Sequence, residues 1–430
     1  MEIERLYGLY RNCAGITTDS RTVRKGEIFF ALKGPAHDGN RHACAALEAG
    51  ALAAFVDDPS LRGERMVVVE DVLQTMTELA AFHRRRLQMP VIAITGTNGK
   101  TTTKELVTAV LSGKGKVHST TGNLNNHIGV PLTLLSAPDD AAFLVVEMGA
   151  NHMGEIDALC ATAMPTHGII TNIGTAHIEG FGSFENVRKA KSELYQWLAS
   201  SGGTVIYNDE NPVLSELASA LRHTEKYSAP GGHSFAAKAD AEGEMLLSVN
   251  AAIDGTVHRF QTGLFGSYNI DNVRAAMATG LLFEVPVNAI IDAVSSYRPA
   301  NNRSQVTETG RNTVIRDAYN ANPSSMERAI ASFAALKAAK KMVILGDMLE
   351  LGSESVPGHT AVVRQLKELG NLTAILVGPQ FRAAAGDLHA ELFATSEDAA
   401  EWLKTEKPEG YTILVKGSRG TMLEKVYPLL

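Results

Sequence analysis

The sequence predicts an α/β protein built from three units. Three observations predict it. From Val91 onward, continuous apolar runs of strand length alternate with helical segments, the pattern of a mostly parallel sheet covered on both faces. Near "SSYRPANNRSQ" that alternation starts again. The stretch before residue 88 mixes short strands and helices in a different rhythm. A chain of 430 residues also exceeds one ordinary domain. The expected units are residues 1–88, 89–298 and 299–430.

In the first unit, "GEIFFAL" and "RMVVVED" read as strands, and "NRHACAALEAGA" as a helix closed by glycine. "HRRRLQMP" ends the unit at a proline. In the second, "VIAIT", "AAFLVVEMG", "HGIITNI" and "TVIYN" are buried strands, and "DNVRAAMATGLLFEV" is a helix. Residues 228–263 alternate as antiparallel strands do, although "SAPGGHSFAAKADAEGE" within them reads as exposed turns. In the third, "NTVIRDAY", "KMVILGD", "TAILVG" and "YTILVKG" are strands separated by helices such as "SSMERAIASFAALKAAK", a second Rossmann-like α/β unit.

Composition narrows the function class. Hydrophobic content of 45% and charged content of 20% describe a globular protein with a sizeable core. The net charge of −7 argues against general nucleic-acid binding, which favours a basic face. Cys13, Cys44 and Cys160 lie far apart without metal-ligand spacing, so buried free thiols and a reducing cytoplasm are expected. No basic segment followed by an apolar run opens the chain, so no signal peptide is expected. No uncharged apolar stretch approaches the roughly 20 residues that span a bilayer.

"VIAITGTNGKTTTKELVTAVL" carries the first chemistry. A strand runs into a glycine-rich turn and then a helix, the order of a phosphate-binding loop. The full G-x-x-x-x-G-K-[ST] pattern wants glycine where Ile94 stands. Gly96 and Gly99 allow a tight turn with exposed N–H groups. Lys100 can reach the outer phosphates and Thr101 can ligate Mg²⁺. Leu106, Val107, Val110 and Leu111 mark the buried face of a helix whose positive end meets the phosphates. The competing reading is a chance glycine-rich turn.

Two residues after the loop stand out. Glu147 ends the buried strand of "FLVVEMGANHMGEI", where an open α/β sheet has its ligand crevice. It reads as a Mg²⁺ ligand, or alternatively as a capping or surface glutamate. His177 follows another buried strand in a glycine-rich loop, where a lone histidine is usually a packed or surface residue.

The shortened loop T-G-T-N-G-K-T-T resembles the ATP site of the Mur ligases and their folylpolyglutamate synthase relatives, ATP-dependent amide-forming enzymes of three domains. In the Mur comparison the loop residues Gly96, Thr97, Asn98, Gly99, Lys100, Thr101 and Thr102 bind ATP, and His177 serves a second Mg²⁺. "RKAKSELYQWL" resembles the segment whose lysine is carbamylated by CO₂, here Lys191; Ser192 stands where glycine is common. The residue alone reads as a solvated lysine on an amphipathic helix. "FGSYNIDNVRAA" is similar to the adenine-side segment, with Asn269 and Asn272 as its asparagines and Tyr268 in place of a common histidine. Thr101, Glu147, His177 and the Lys191 carbamate would hold two Mg²⁺ ions.

The flanking segments choose among family members. "TTDSRTVRKGEIFFALKGPAHDGNRHACAALEAGA" resembles the UDP-sugar domain of the enzymes that add the third residue and the terminal dipeptide, placing Ser20, Arg21 and Asp38 at the UDP end. "TTGNLNNHIGVPLTLL", with Asn123, Asn125 and Asn126, resembles the dipeptide-adding branch and its UDP-substrate contacts. "NNRSQV" and "RDAYNANPSSM" imply Arg303 and Asp317 near the nucleotide, and Tyr319, Asn320 and Asn322 at the dipeptide. "ILGDMLELG" and "VKGSRGTMLEKV" point to the same branch, and the "DNPR" motif of the diaminopimelate-adding enzyme is absent. The resemblance implies a monomer that joins D-Ala-D-Ala to a UDP-N-acetylmuramoyl-tripeptide through an acyl phosphate. Still open are third-residue addition, folylpolyglutamate synthesis and, from another class, a nucleotide-binding regulator that forms no bond.

Overall fold

The computed structural model describes residues 3–174, 178–240 and 243–430. His177 lies outside the described residues. Three main sheets organise the chain. The first has four parallel strands in the order Gly15–Thr17, Glu27–Phe30, Ala53–Val56 and Met66–Val68. Ile28, Phe30 and Phe55 from this sheet, with Met76 and Leu79 of the helix Val72–Arg84, share one apolar cluster with Val91, Ala93 and Val146. The first two sheets are therefore joined through a common core. Arg84 reinforces the joint: its guanidinium donates to the carbonyls of Ala163, Leu87 and Met164 at 2.8, 2.8 and 3.0 Å. Two of these are orphan carbonyls at the end of the helix Glu155–Ala163, where a cation is favoured.

The second sheet has six parallel strands, ordered Thr224–Lys226, Thr204–Tyr207, His167–Ile170, Val91–Thr95, Phe143–Glu147 and Val117–Ser119. Val91–Thr95 is buried along its whole length, as its unbroken apolar run predicts. Burying each Val or Ile side chain contributes roughly 1.5–3 kcal/mol. The helix Lys100–Leu111 packs Leu106, Val107, Val110 and Leu111 against Ile92, Ile94 and Val273. The strand order runs outward in both directions from Val91–Thr95. That makes its C-terminal end a switch point, where α/β sheets leave a ligand crevice.

The third sheet has nine strands. An antiparallel meander, Phe235–Ala239, Leu246–Ile253 and Thr256–Phe265, meets Gln305–Glu308 through the pair Leu264 and Gln305. Thr313–Asp317 follows antiparallel. Thr412–Lys416, Lys341–Gly346, Thr373–Val377 and Glu391–Phe393 then continue in parallel. One hydrogen-bonded sheet thus contains strands from both sides of residue 298.

Two expectations need correction. Part of the stretch expected as exposed turns is the strand Phe235–Ala239, with Phe235 and Ala237 buried. Its alternating apolar residues pack on Val249 and Leu281, a signal diluted in the sequence by small polar neighbours. The three cysteines are free, but only Cys160 is buried; Cys13 is half-buried and Cys44 is exposed. Cys44 takes an outward position on the short helix Ala43–Glu48. Among the described residues, no helix is long and apolar enough to cross a membrane.

Candidate active site

Gly96 and Gly99 build the loop after Val91–Thr95. Their φ values are +140° and +80°. A Cβ on Gly96 would stand 2.1 Å from Thr171 Oγ1, and one on Gly99 would stand 2.3 Å from Asn272 Oδ1. Only glycine fits either position. Lys100, the first residue of the following helix, turns its ammonium back onto the carbonyls of Gly96 and Thr97 at 2.8 and 3.1 Å. Burial lowers its pKa to about 8; Glu147 opposes that shift and Arg303 adds to it.

Glu147 closes the strand Phe143–Glu147 and is buried. Oε1 accepts from Asn125 Nδ2 at 2.6 Å. Oε2 is buried with no hydrogen-bond partner among the described residues. A buried oxygen of this kind is costly unless it is paired, so it suits a hard divalent cation, and Thr101 lines the same cavity.

Lys191 lies on the helix Phe184–Ser201 and is buried. Among the described residues, its one close polar contact is the carbonyl of Ala150, at 3.4 Å, and the Phe181 ring lies 5.5 Å away. Burial first, and the Lys100 charge second, bring its pKa down to about 7, against the pull of Glu155 and Glu193. A neutral amine is the form that adds CO₂. The solvated-lysine alternative does not describe this residue.

Lys100 and Glu147 face one cavity of about 650 Å³; Lys191 is not among its lining residues, although Ala150, whose carbonyl it meets, is. Lys100, Thr101, Thr102, Glu147, Asn123, Asn125 and Asn126 line it from the central sheet. From the C-terminal part come Arg303, Asp317, Tyr319, Asn320, Asn322 and Lys416. Arg303 stacks 3.8 Å above the Tyr319 ring, a cation–π contact that fixes both side chains. Ser20, Arg21 and Asp38 do not line this cavity. Arg21 pairs with Asp19 in solvent, and Asp38 caps the turn at Asn40.

Several expected ligand contacts are already committed inside the protein. Asn126 accepts from the N–H groups of Ile128 and Gly129. Asn269 donates to the Phe265 carbonyl and to Ser304 Oγ, and accepts from Asn272 at 2.7 Å. Asn272 in turn accepts from Thr103. The two amides expected at adenine tie the helix Ile270–Leu282 to the phosphate-loop helix. Asn98, expected at ATP, gives its N–H to Asn172 and its side chain to Asn322 and Ser324. Asp317, expected at the ribose, accepts from the Ser304 N–H at 2.9 Å and from Lys416 at 2.6 Å.

Lys416, Ser304 and Asn172 escaped the sequence reading. Lys416 carried a usable signal, being a charge that ends the apolar strand Thr412–Lys416, just as Glu147 ends its own. Ser304 and Asn172 carried none.

A phosphate loop facing a second α/β unit across a cation-rich cleft defines an ATP-dependent ligase built from several α/β units. Three family models match in succession: "Mur ligase family, catalytic domain" at residues 12–93, "Mur ligase middle domain" at 94–280, and "Mur ligase, glutamate ligase domain" at 302–419. The chain belongs to the Mur ligase family. It is 33% identical over 426 residues to the UDP-N-acetylmuramoyl-tripeptide–D-alanyl-D-alanine ligase of Bacillus subtilis, covering 96% of this chain and 92% of that one. A crystal structure of MurF from Acinetobacter baumannii superposes with a TM-score of 0.86 at 30% identity, over 99% of this chain and 97% of that one. MurF ligase from Thermotoga maritima, solved in complex with ADP, gives 0.83 at 26%, over 98% and 97%.

Proposed function

We propose that this enzyme joins D-alanyl-D-alanine to UDP-N-acetylmuramoyl-tripeptide at the expense of ATP, with ADP and phosphate as products. One observation carries the reading. A single cavity sets the phosphate loop and Glu147 opposite Tyr319, Asn320 and Lys416, in a chain similar end to end to ligases of that name.

The reaction must bring a carboxylate to an equally anionic triphosphate. The tripeptide's terminal carboxylate attacks the γ-phosphorus, and the bond to ADP breaks. The dipeptide amine then attacks the acyl carbon, its proton departs, and phosphate leaves. Lys100 has loop carbonyls to release when phosphates arrive, and its charge then opposes the repulsion between the two anions. The stacked Arg303 adds positive charge from the C-terminal side. Thr101, Glu147, His177 and a carbamate on Lys191 would hold Mg²⁺, which when bound supplies further charge neutralisation. The orphaned Glu147 Oε2 and the weakly held, depressed Lys191 amine support this assignment.

The division of labour follows the chain. Residues 1–88 take the UDP end through Ser20, Arg21 and Asp38, residues 89–298 take ATP, and residues 299–430 take the dipeptide through Tyr319 and Asn320. Closing the cavity excludes water, which would otherwise hydrolyse the acyl phosphate. The reading includes a monomer working in the cytoplasm, a compartment that suits three free thiols.

The test is an amine panel. The protein, ATP, Mg²⁺ and both UDP-tripeptides (lysine and diaminopimelate forms) are mixed with D-Ala-D-Ala, lysine, diaminopimelate or glutamate. A new amide bond with D-Ala-D-Ala alone is expected. Phosphate release driven only by a free amino acid rejects the reading. For the carbamate, ¹³CO₂ should give a carbamate carbon signal in the wild type that is missing in Lys191→Ala, and formate should partly rescue turnover of that variant.

A further inference from the structure

Asn98 occupies the middle of the phosphate loop, yet each of its polar groups is bonded to residues beyond the loop. Its N–H donates to Asn172 Oδ1 at 3.0 Å. Its carbonyl accepts from Thr171 Oγ1 at 2.6 Å and from Asn172 Nδ2 at 3.0 Å. The side chain crosses to the C-terminal unit and closes a ring. Asn98 Nδ2 donates to Ser324 Oγ at 3.1 Å, Ser324 Oγ donates to Asn322 Oδ1 at 3.0 Å, and Asn322 Nδ2 donates back to Asn98 Oδ1 at 2.7 Å. Each member gives one hydrogen bond and accepts one, so the bonds share a single direction and polarise one another.

The ring's far side is a helix start. Asn322 caps the helix Pro323–Ala334, accepting from the Ser325 N–H at 2.9 Å, while Ser325 Oγ accepts the Asn322 N–H at 3.0 Å. The residues just before this cap, Tyr319 and Asn320, line the cavity. The ring therefore sets where that segment stands relative to the phosphates. The near side is fixed as well: Thr97 Oγ1 accepts the Gly174 N–H at 2.9 Å. A neighbouring loop thus holds the phosphate loop on one side and the C-terminal helix holds it on the other.

We propose that Asn98 is a positioning residue for the acceptor dipeptide rather than a nucleotide contact. Through Ser324 and Asn322 it docks the segment bearing Tyr319 and Asn320 onto the filled phosphate loop. The inference rests on the ligase reading above and names the residues that couple its two half-sites.

The experiment compares Asn98→Ala, Ser324→Ala, their double variant and Ser324→Thr with the wild type. AMP-PNP binding is measured by calorimetry, and D-Ala-D-Ala kinetics by ADP release. Each single alanine variant should raise the dipeptide KM roughly tenfold, the loss of a bond or two in a half-buried ring. AMP-PNP affinity should stay within about twofold of the wild type. The double variant should be no worse than the poorer single one, because either change opens the same ring. Ser324→Thr, which keeps the hydroxyl, should recover most of the loss. If Asn98→Ala weakens AMP-PNP binding in proportion to its kinetic defect, Asn98 is a nucleotide contact and the proposal is wrong. An unchanged dipeptide KM in Ser324→Ala, additive losses, or no recovery with threonine also overturns it. Failure of the wild type to make an amide with the dipeptide would instead reject the ligase reading, and the AMP-PNP measurement separates the two.

Discussion

Asn125 Nδ2 donates to Glu147 Oε1 at 2.6 Å, while Oε2 of the same buried carboxylate has no partner among the described residues. The amide fixes the plane of the carboxylate and leaves one oxygen directed for a ligand. Groups that orient a metal-binding carboxylate matter nearly as much as the carboxylate itself. Asn125→Ala should therefore raise the Mg²⁺ concentration that gives half-maximal ADP formation by about 10–100-fold. A Mg²⁺ dependence matching the wild type would overturn the metal role proposed for Glu147.

Lys416 and Asp317 form a buried pair at 2.6 Å, with side chains 4% and 12% exposed. The strands Thr313–Asp317 and Thr412–Lys416 lie side by side and place the two at the same level. Removing one partner strands the other charge, which typically costs about 3–5 kcal/mol. Lys416→Met should lower the urea midpoint of the C-terminal transition accordingly. The double variant Lys416→Met with Asp317→Asn should recover much of that loss, since no buried charge is then left alone. Equal midpoints for wild type and Lys416→Met would show that the pair contributes nothing.

The same pair shows what a sequence reveals and what it hides. Strands covered on both faces announce themselves as apolar runs, so the central and C-terminal sheets were legible. A charge closing such a run marks the crevice, and Glu147 was found that way. Lys416 carried the same mark but lacked an obvious partner, because Asp317 lies far away along the chain. The polar network was hidden for the same reason. Asn98, Asn269, Asn272 and Asn322 stand in motifs whose family resemblance implies ligand contacts, and nothing nearby in the sequence shows their partners within the protein. In the fold each meets a residue from a distant segment. Short strands with small side chains, such as Phe235–Ala239, were obscured by their polar neighbours.

The segment joining the central and C-terminal parts is anchored to the phosphate-loop helix. Glu105 accepts from the Tyr297 hydroxyl and from Asn301 Nδ2. Asn302 and Ser304, on either side of Arg303, hold left-handed φ values of +55° and +50°, a conformation that non-glycine residues resist. The anchor gives this turn a fixed base and so helps place Arg303 over Tyr319. Tyr297→Phe removes one hydrogen bond to a charged acceptor, a loss of about 1.5–3 kcal/mol. Its thermal midpoint should fall, and the ATP KM should rise as Arg303 loses its setting. A lower midpoint with an unchanged ATP KM would confine Glu105 to folding.

Lys191 predicts a pH dependence of stability with a definite sign. Its pKa falls from 10.5 to about 7 on folding, chiefly through burial and then through Lys100. Below pH 7 the amine is protonated in both states, and the folded protein carries the whole burden of a buried cation. Between pH 7 and 10.5 the folded state has released that proton while the unfolded chain still holds it. The unfolded state then binds more protons, so stability rises with pH across this window. Lys100, lowered from 10.5 to about 8, adds a second contribution from pH 8 upward. In CO₂-free buffer without nucleotide, the thermal midpoint should climb between pH 7 and 10 before general alkaline unfolding begins. Lys191→Met has no charge to bury, so it should be more stable than the wild type at pH 7, and the gap should close as pH rises. The quantity to follow is that difference, since other titrating groups contribute equally to both proteins. A constant difference across the window would mean that Lys191 keeps an ordinary lysine pKa in the folded state, and the neutral amine needed for carbamate formation would be lost with it.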